Sequence, residues 1–364
     1  MARITTPLCE LLGIRVPVIQ APMAGGPSCP DLVAAVCEAG ALGSFGFAVA
    51  QPRDMKDQVA AVRAKTLRPF CINLLASPQP APIDLVHQSA ALAALGPWHA
   101  EMGLPPPEAA KAPYAPELEG QLAAVAETKP AVFTVHLGEI EEEWVRRFKR
   151  LGIRVGASAT CVAEAGHAQA LGFDFVVAQG GEAGGHRGSY LRDPYEALTG
   201  TLALTRVVVR AVNIPVVAAG GIMDGAGIAA VLSLGAQGAQ MGTAFIPCTE
   251  SGAPELHKRA ILEAKEDATR VTEKFSGKPA RGIANRFIRE AAAKHLPQIA
   301  YPAQYALTAK LRQASAKAGT ADFYPLWSGQ AAPLARALSA GELVATLEQE
   351  TVAALRAGAA LIQE

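Results

Sequence analysis

The sequence predicts an α/β protein: a (β/α)8 TIM barrel, with a helical subdomain added by the C-terminal tail and a long loop insertion after the third strand. Three observations carry this expectation. Short β-like runs alternate with helical stretches from the start of the chain to about residue 250, and parallel strands need helical crossovers to join them. The runs are apolar almost throughout rather than at alternate positions, which buries both faces of the sheet. Eight such units fit within roughly 250 residues, the size of one barrel of this kind. A doubly wound open sheet is the competing arrangement of the same elements.

The strands are expected at 16–20 (VPVIQ), 41–47 (ALGSFGF), 70–75 (FCINLL), 132–137 (VFTVHL), 155–159 (VGASA), 174–179 (DFVVAQ), 215–221 (PVVAAGG) and 239–245 (AQMGTAF). Between the first two, PDLVAAVCEAG reads as a helix, with Pro30 and Asp31 suited to a first turn and Gly40 to a stop. EEEWVRRFKRLG is acidic at its start, basic at its end and closed by Gly152, as the helix dipole favours. The third connection is a Pro-rich excursion over 78–116, containing PQPAP and GLPPPEAAKAPYAP. After about residue 250 the pattern turns helical, in EAKEDATRVTEKF, RGIANRFIREAAAKHL, QYALTAKLRQASAKAG and LVATLEQETVAALRAGAALI. The expected division is therefore a barrel over 1–250 and a mainly helical subdomain over 251–364 that caps the active-site end, its last helix free to return to the barrel. No repeat at a fixed period appears beyond the βα alternation itself.

Composition narrows the function. With 364 residues, half of them apolar, the chain buries a large core and exceeds a single-core size of about 250–300. Formal net charge is zero, with no Lys/Arg stripe, so a nucleic-acid partner is not expected. The cysteines, Cys9, Cys29, Cys37, Cys71, Cys161 and Cys248, form no Cys-x-x-Cys pair, so neither a thiolate metal site nor a redox dithiol is signalled. Scattered thiols suit a reducing compartment. MARITTPLCELLG lacks a secretory signal's apolar region, and no stretch approaches about 18 uninterrupted apolar residues. A cytoplasmic protein is expected, with no membrane span.

Barrel enzymes work at the carboxyl ends of their strands. Here those ends carry 20–26 (QAPMAGG), Asn73, His136, 179–188 (QGGEAGGHRG), Gly220, Gly221, Gln240, Met241, Gly242 and Thr243. Glycines and amides dominate and charges are few. Such walls press against a broad, flat ligand that brings its own reactivity. The last two loops, AAGGIMDG and AQMGTAF, lie where barrels often bind phosphate through main-chain N–H groups and a helix N-terminus. A side chain at Gly221 or Gly242 would block that approach. GAGIAA at 225–230 fits G-x-G-x-x-A, yet the acid expected about 20 residues on is missing, so it reads as an ordinary helix start.

His186 lies in the glycine-rich loop beside this site. As a zinc ligand it would pair with Glu182, but Gly184 and Gly185 spoil the helix that such spacing needs. As a catalytic group it has a suitable pKa range; as a structural histidine it would need no such setting. His136 either shares the cavity or is a buried, hydrogen-bonded histidine. No lysine ends a strand, no cysteine follows the sixth strand, and no acidic cluster offers a Mg2+ site. The reactivity must be borrowed.

With QAPMAGG at 20–26, INLL at 72–75, AQGGEAGGHRG at 178–188, AAGGI at 218–222 and QMGTAF at 240–245, the chain resembles the nitronate monooxygenases, formerly 2-nitropropane dioxygenases. The tail segments YPAQYALTAKLR (301–312) and YPLWSGQAA (324–332) are similar to class I of that family, whereas QAPM, GGH and MGT also occur in flavin-dependent enoyl thioester reductases and quinone reductases. The resemblance implies an FMN-containing barrel that oxidises alkyl nitronates with O2 to carbonyl compounds and nitrite, propionate 3-nitronate being the family's favoured class I substrate. It implies that Ala21, Pro22 and Met23 pass along the flavin ring and that Asn73 and Gln179 hydrogen-bond to it. The loop glycines Gly180, Gly184, Gly185, Gly220 and Gly221 and the run Gln240, Met241, Gly242, Thr243 would hold the ribityl and phosphate parts. His186 matches the family's catalytic histidine, acting as a base toward neutral nitroalkanes and as a positioning group toward nitronates. His136, Tyr301, Tyr305 and Lys310 would complete the substrate pocket. Many relatives read MGTRF where this chain has Ala244, which removes one cationic phosphate partner. A rival activity is NAD(P)H-dependent reduction of quinones or enoyl thioesters; a third reading is a non-catalytic barrel binding a phosphorylated ligand. Partners are expected to be a small nitronate and O2, in a monomer or homodimer.

Overall fold

A computed structural model describes residues 3–77 and 83–362. In chain order its strands are β1 (Val18–Gln20), β2 (Gly43–Gly46), β3 (Phe70–Leu75), β4 (Val132–His136), β5 (Arg154–Ala159), β6 (Phe175–Gln179), β7 (Gly185–His186), β8 (Val216–Ala219), β9 (Gly238–Met241), β10 (Thr269–Thr272) and β11 (Ala280–Ile283). Eight of them form one parallel sheet in the order β1-β9-β8-β6-β5-β4-β3-β2. Its two outer strands meet through an Ile19–Leu42 bridge, where Gln20 N–H donates to Leu42 O at 2.9 Å and Leu42 N–H to Val18 O at 3.0 Å. The sheet closes on itself. This is the (β/α)8 barrel, and an open doubly wound sheet is excluded.

The barrel interior is layered by the two-residue period of a strand. Cys71, Val132, Phe175 and Val217 fill its lower part with Leu8 and Leu12 of the helix Pro7–Leu12, which plugs that end. Two or four residues further along the same strands, the inward positions become Asn73, Thr134, His136 and Gln179. Register aligns Asn73 with Thr134, and Gln179 with Ala219 and in turn Gln240. The polar residues therefore gather at the carboxyl ends, with an apolar floor beneath them.

The tail contains more than helices. The stretches EAKEDATRVTEKF and RGIANRFIREAAAKHL, expected to be helical, supply β10 and β11, which pair antiparallel. β11 in turn pairs with β7, setting Ala280 opposite His186 and Arg281 opposite Gly185. Thr269, Val271 and Thr272 are β-branched, and a partner strand in the glycine-rich loop decides the outcome over the local helical composition.

The PQPAP part of the excursion lies outside the described residues. Further on, the helix Leu85–Glu101 packs Ala91, Leu95 and Trp98 against Phe275, Phe287 and Phe323 of the tail. Trp98 meets Phe287 edge-on at 5.0 Å, and its indole N–H donates to Glu290 at 2.9 Å. Excursion and tail thus share one apolar core. The long helix Ala340–Ala359 returns to the barrel wall, burying Leu343, Val344 and Leu347 with Val36, Ile228 and Val231. Among the described residues no helix is long and apolar enough to cross a membrane.

Candidate active site

A cavity of about 410 Å3 opens over the carboxyl ends of the barrel strands, within the usual range of roughly 300–1,000 Å3 for ligand sites. One wall is Ala21, Pro22 and Met23, directly after β1. Asn73, Gln179 and Gln240 rise from the floor, and Gly184, Gly185, Gly220, Gly221, Met241, Gly242 and Thr243 complete the rim. Gly180 does not reach the cavity: a Cβ there would lie 2.0 Å from Thr201 Oγ1, so this glycine lets the loop pack against a helix instead.

The loop after β6 shows why AQGGEAGGHRG has its composition. Glu182 accepts from Thr201 N–H at 2.7 Å and from Thr201 Oγ1 at 2.7 Å, capping the helix Thr201–Ala211. Arg187 is fully buried and donates to the carbonyls of Gly180 (2.6 Å), Gln179 (2.9 Å) and Ala197 (3.1 Å). Arg281 donates to Gly181 O at 2.9 Å. Guanidinium groups from two directions thus gather the loop's carbonyls. Gly184 is needed for close approach, since a Cβ would stand 2.6 Å from the Ser328 carbonyl carbon. The acid and the guanidinium are structural, which leaves the imidazole for the site.

The imidazole of His186 is half-buried and lines the cavity. Its Nε2 lies 2.9 Å from Ser276 Oγ, and its ring sits 5.6 Å from Tyr301 and 5.7 Å from Trp327. Burial, and then the nearby charges of His136 and Lys278, push its pKa down to about 3, so it is neutral at neutral pH. His136 also lines the cavity, but protein engages both ring nitrogens: Nδ1 meets Ser158 Oγ at 2.8 Å and Nε2 donates to His186 O at 3.1 Å. Burial pushes its pKa down to about 4. It holds the His186 backbone from below, leaving no ring nitrogen for a ligand.

The amides differ in what they can offer. Asn73 Nδ2 is turned to Thr134 Oγ1 at 2.9 Å, leaving its carbonyl oxygen available. Gln179 is spent on the loop, donating to His186 O at 3.0 Å and accepting from Gly188 N–H at 2.8 Å. The Gln240 side chain makes no hydrogen bond to protein among the described residues, and neither do the N–H groups of Gly221, Ile222, Gly242 and Thr243. These donors face one end of the cavity. The helix Gly225–Ser233, expected to aim its N-terminus at a phosphate, is already capped: Asp224 accepts from Gly227 N–H at 2.8 Å and Glu350 from Gly225 N–H at 2.9 Å. An anion there relies on the loop N–H groups alone. Gly221 has φ +68°, a left-handed conformation that suits glycine. Ala244 is buried in the core beside Phe245.

Tyr301 and Tyr305 enter the cavity from the tail, together with Tyr324, Trp327, His257 and Arg312, none of which the sequence reading singled out. Burial pushes the Tyr301 hydroxyl up to about 12, so it stays protonated. Lys310 does not enter. Its ammonium pairs with Glu108 at 3.1 Å on the outer surface. Arg312, two residues on, takes its place in the cavity: it donates to Tyr305 O at 2.7 Å, lies 3.6 Å from the Tyr305 ring centre, and forms no ion pair among the described residues. The aromatics of YPAQYALTAKLR and YPLWSGQAA, and the arginine that ends the first segment, stand in the sequence, but only the hairpin and the shared apolar core bring them over the rim.

The fold and the rim together define a (β/α)8-barrel protein whose site lies at the carboxyl ends of the strands under a roof built by the tail. The chain belongs to the nitronate monooxygenase family, whose model matches residues 5–350. A nitronate monooxygenase of Paraburkholderia phytofirmans is 44% identical, the alignment covering 94% of each chain, and one of Pseudomonas aeruginosa is 43% identical over 94% of this chain and 97% of that one. A solved structure of a nitroalkane oxidase from Streptomyces ansochromogenes is similar with a TM-score of 0.89 and 40% identity, covering 96% of this chain and 99% of that one. FabK from Thermotoga maritima is more distant, with a TM-score of 0.79 and 27% identity.

Proposed function

We propose that the protein is an FMN-dependent nitronate monooxygenase, taking an alkyl nitronate, with propionate 3-nitronate as the physiological one, and O2 to a carbonyl compound and nitrite. The observation that carries this reading is the convergence of unpaired rim donors at one end of the cavity with, at the other, a neutral imidazole and a guanidinium that has no carboxylate partner among the described residues. FMN fits this arrangement. The N–H groups of Gly221, Ile222, Gly242 and Thr243 are acceptor-seeking and would hold its phosphate. Gln240 and the carbonyl oxygen of Asn73 would meet the polar edge of the ring system, along which Ala21, Pro22 and Met23 form a wall. When bound, the flavin would supply the electron acceptor for the nitronate and the route to O2.

The chain's own residues would bind, orient and exclude water. A nitronate is an anion, and Arg312 offers it a cation with no competing carboxylate among the described residues. The Tyr301 hydroxyl, kept protonated by burial, and the Tyr305 hydroxyl would add donors. His186 takes the α-proton when the substrate arrives as a neutral nitroalkane. Toward a nitronate, which has no such proton to lose, it orients the bound anion. The free state of all six cysteines suits a reducing compartment, and the cytoplasm is the proposed location.

The deciding experiment is nitrite release from propionate 3-nitronate under air by the yellow, FMN-loaded protein, with nitroethane as the neutral comparison. His186→Asn is expected to lower nitroethane turnover by about 10^2- to 10^4-fold, the usual worth of a general base, while FMN stays bound. Rapid anaerobic bleaching of the flavin by NADH, without nitrite release under air, would replace this reading with the reductase one.

A further inference from the structure

The hydroxyl of Ser276 has one proton and three neighbours. Ser276 is fully buried in the turn between β10 and β11. Its Oγ donates to Lys278 O at 3.0 Å, a carbonyl that can only accept. The same Oγ lies 2.9 Å from His186 Nε2 and receives the Lys278 N–H at 3.4 Å. Since the proton of Ser276 is committed to Lys278 O, the contact with His186 is satisfied when Nε2 carries hydrogen and donates it. Nδ1 is then the bare nitrogen. It has no protein partner among the described residues and is not among the buried orphaned atoms, so it opens onto the cavity that His186 lines.

We infer that Ser276 is a positioning residue, fixing His186 as its Nε2–H tautomer and thereby presenting Nδ1 as the proton acceptor. The inference rests on the proposed nitronate chemistry for its consequence but not for its geometry. The backbone of His186 is held independently, by β11, by His136 Nε2 and by Gln179 Nε2. Tyr301 and Trp327 flank the ring. What remains free is which nitrogen bears hydrogen, and the single hydroxyl sets it. In proton transfer from a nitroalkane, the C–H bond breaks, Nδ1–H forms, and the electron pair stays on the substrate as nitronate. The imidazolium so formed keeps its Nε2–H bond to Ser276 and gains a second donor aimed at the new anion.

The tautomer can be read directly. In the 15N-labelled holoenzyme, long-range 1H–15N correlation, with His186→Asn used to assign the signals, is expected to show protonated Nε2 and unprotonated Nδ1. Ser276→Ala should shift that pattern toward protonated Nδ1. It should also lower kcat/KM for nitroethane at least about tenfold more than for ethyl nitronate, because a misplaced proton removes the base and spares a substrate that needs none. Ser276→Thr, which keeps a hydroxyl, should restore both readouts. A wild-type spectrum with hydrogen on Nδ1, or equal losses on the two substrates, would overturn the inference. Should neither substrate yield nitrite with the wild type, the functional reading fails while the spectrum still decides the tautomer.

Discussion

At the rim of the barrel, Asn73, Thr134, Gln179 and Gln240 point into one cavity because each occupies an inward position on its strand and the strands lie in register. On the roof, Ser276, Tyr301, Arg312 and Trp327 come from separate segments of the tail with no common period. The β10–β11 hairpin and an aromatic core shared with Trp98, across which Phe275 and Phe287 lie 4.6 Å apart, hold them over the rim. The difference separates two tasks. Main-chain N–H groups and amides on the rim, which under the proposed function would hold the flavin, belong to the barrel itself, and changing them disturbs it. Tyr301, Arg312 and Trp327 on the roof line the cavity, where under the proposed function they would meet the substrate, and they can be exchanged with the barrel intact.

The sharpest way to break this division is Arg312→Met, which keeps an apolar stem and removes the charge. A hydrogen bond to a charged group is worth about 1.5–3 kcal/mol, so kcat/KM for an anionic nitronate is expected to fall by roughly 10- to 100-fold. FMN affinity, measured by fluorescence on reconstitution, should be unchanged. A parallel loss of FMN would mean that roof and rim are one site rather than two.

The same contrast explains what could be read from the chain. The eight strands were legible because a buried parallel strand is a short apolar run, and the rim residues followed once the strand ends were placed. Most of the residues from Ala21 to Thr243 expected at the strand ends do line the cavity. Gly180 was counted with the loop, yet packs on Thr201, since spacing alone cannot tell which side of a glycine turn faces a ligand. β10 and β11 were missed because their pairing with β7 joins residues far apart in the chain, and local composition there favours helix. Arg312 was missed for the same reason. Its role depends on which side of a helix the roof presents, a matter of packing that no local pattern in the tail reports.

Titration offers a second, smaller test. His136 and His186 stand at the rim and His257 on the roof, where its Nε2 donates to Trp327 O at 3.0 Å. Burial holds their pKa values down, to about 4, about 3 and about 4, against an ordinary value of 6.5. Below pH 6.5 the unfolded chain takes up protons that the folded one refuses. The stability is thus fully present above 6.5 and is lost as pH falls toward the folded values. Each such histidine contributes at most about 1.4 kcal/mol per pH unit in that window. Urea unfolding at pH 7.5, 6 and 5 should show a steep loss, and His257→Gln should make it shallower by up to one histidine's share. An unchanged slope would mean that His257 is not held neutral beneath the roof.

The smallest expected effect is the most discriminating about the roof's geometry. Lys310 and Arg312 are both cations in the helix Ala309–Lys317, two residues apart. Residues at that spacing lie on opposite sides of a helix, since each step turns it by about 100°. Lys310 accordingly meets Glu108 at the surface, with side-chain exposures of 50% and 74%, and pairs so exposed are worth about 0–1 kcal/mol. Lys310→Ala should therefore change kcat/KM for any nitronate by less than about twofold and stability by no more than that pair's worth. Steady-state kinetics of the two variants side by side make the comparison. If Lys310→Ala loses as much activity as Arg312→Met, the helix presents its other side to the substrate. The roof described here would then be turned by half a revolution, with Tyr305 and Arg312 no longer its inner face.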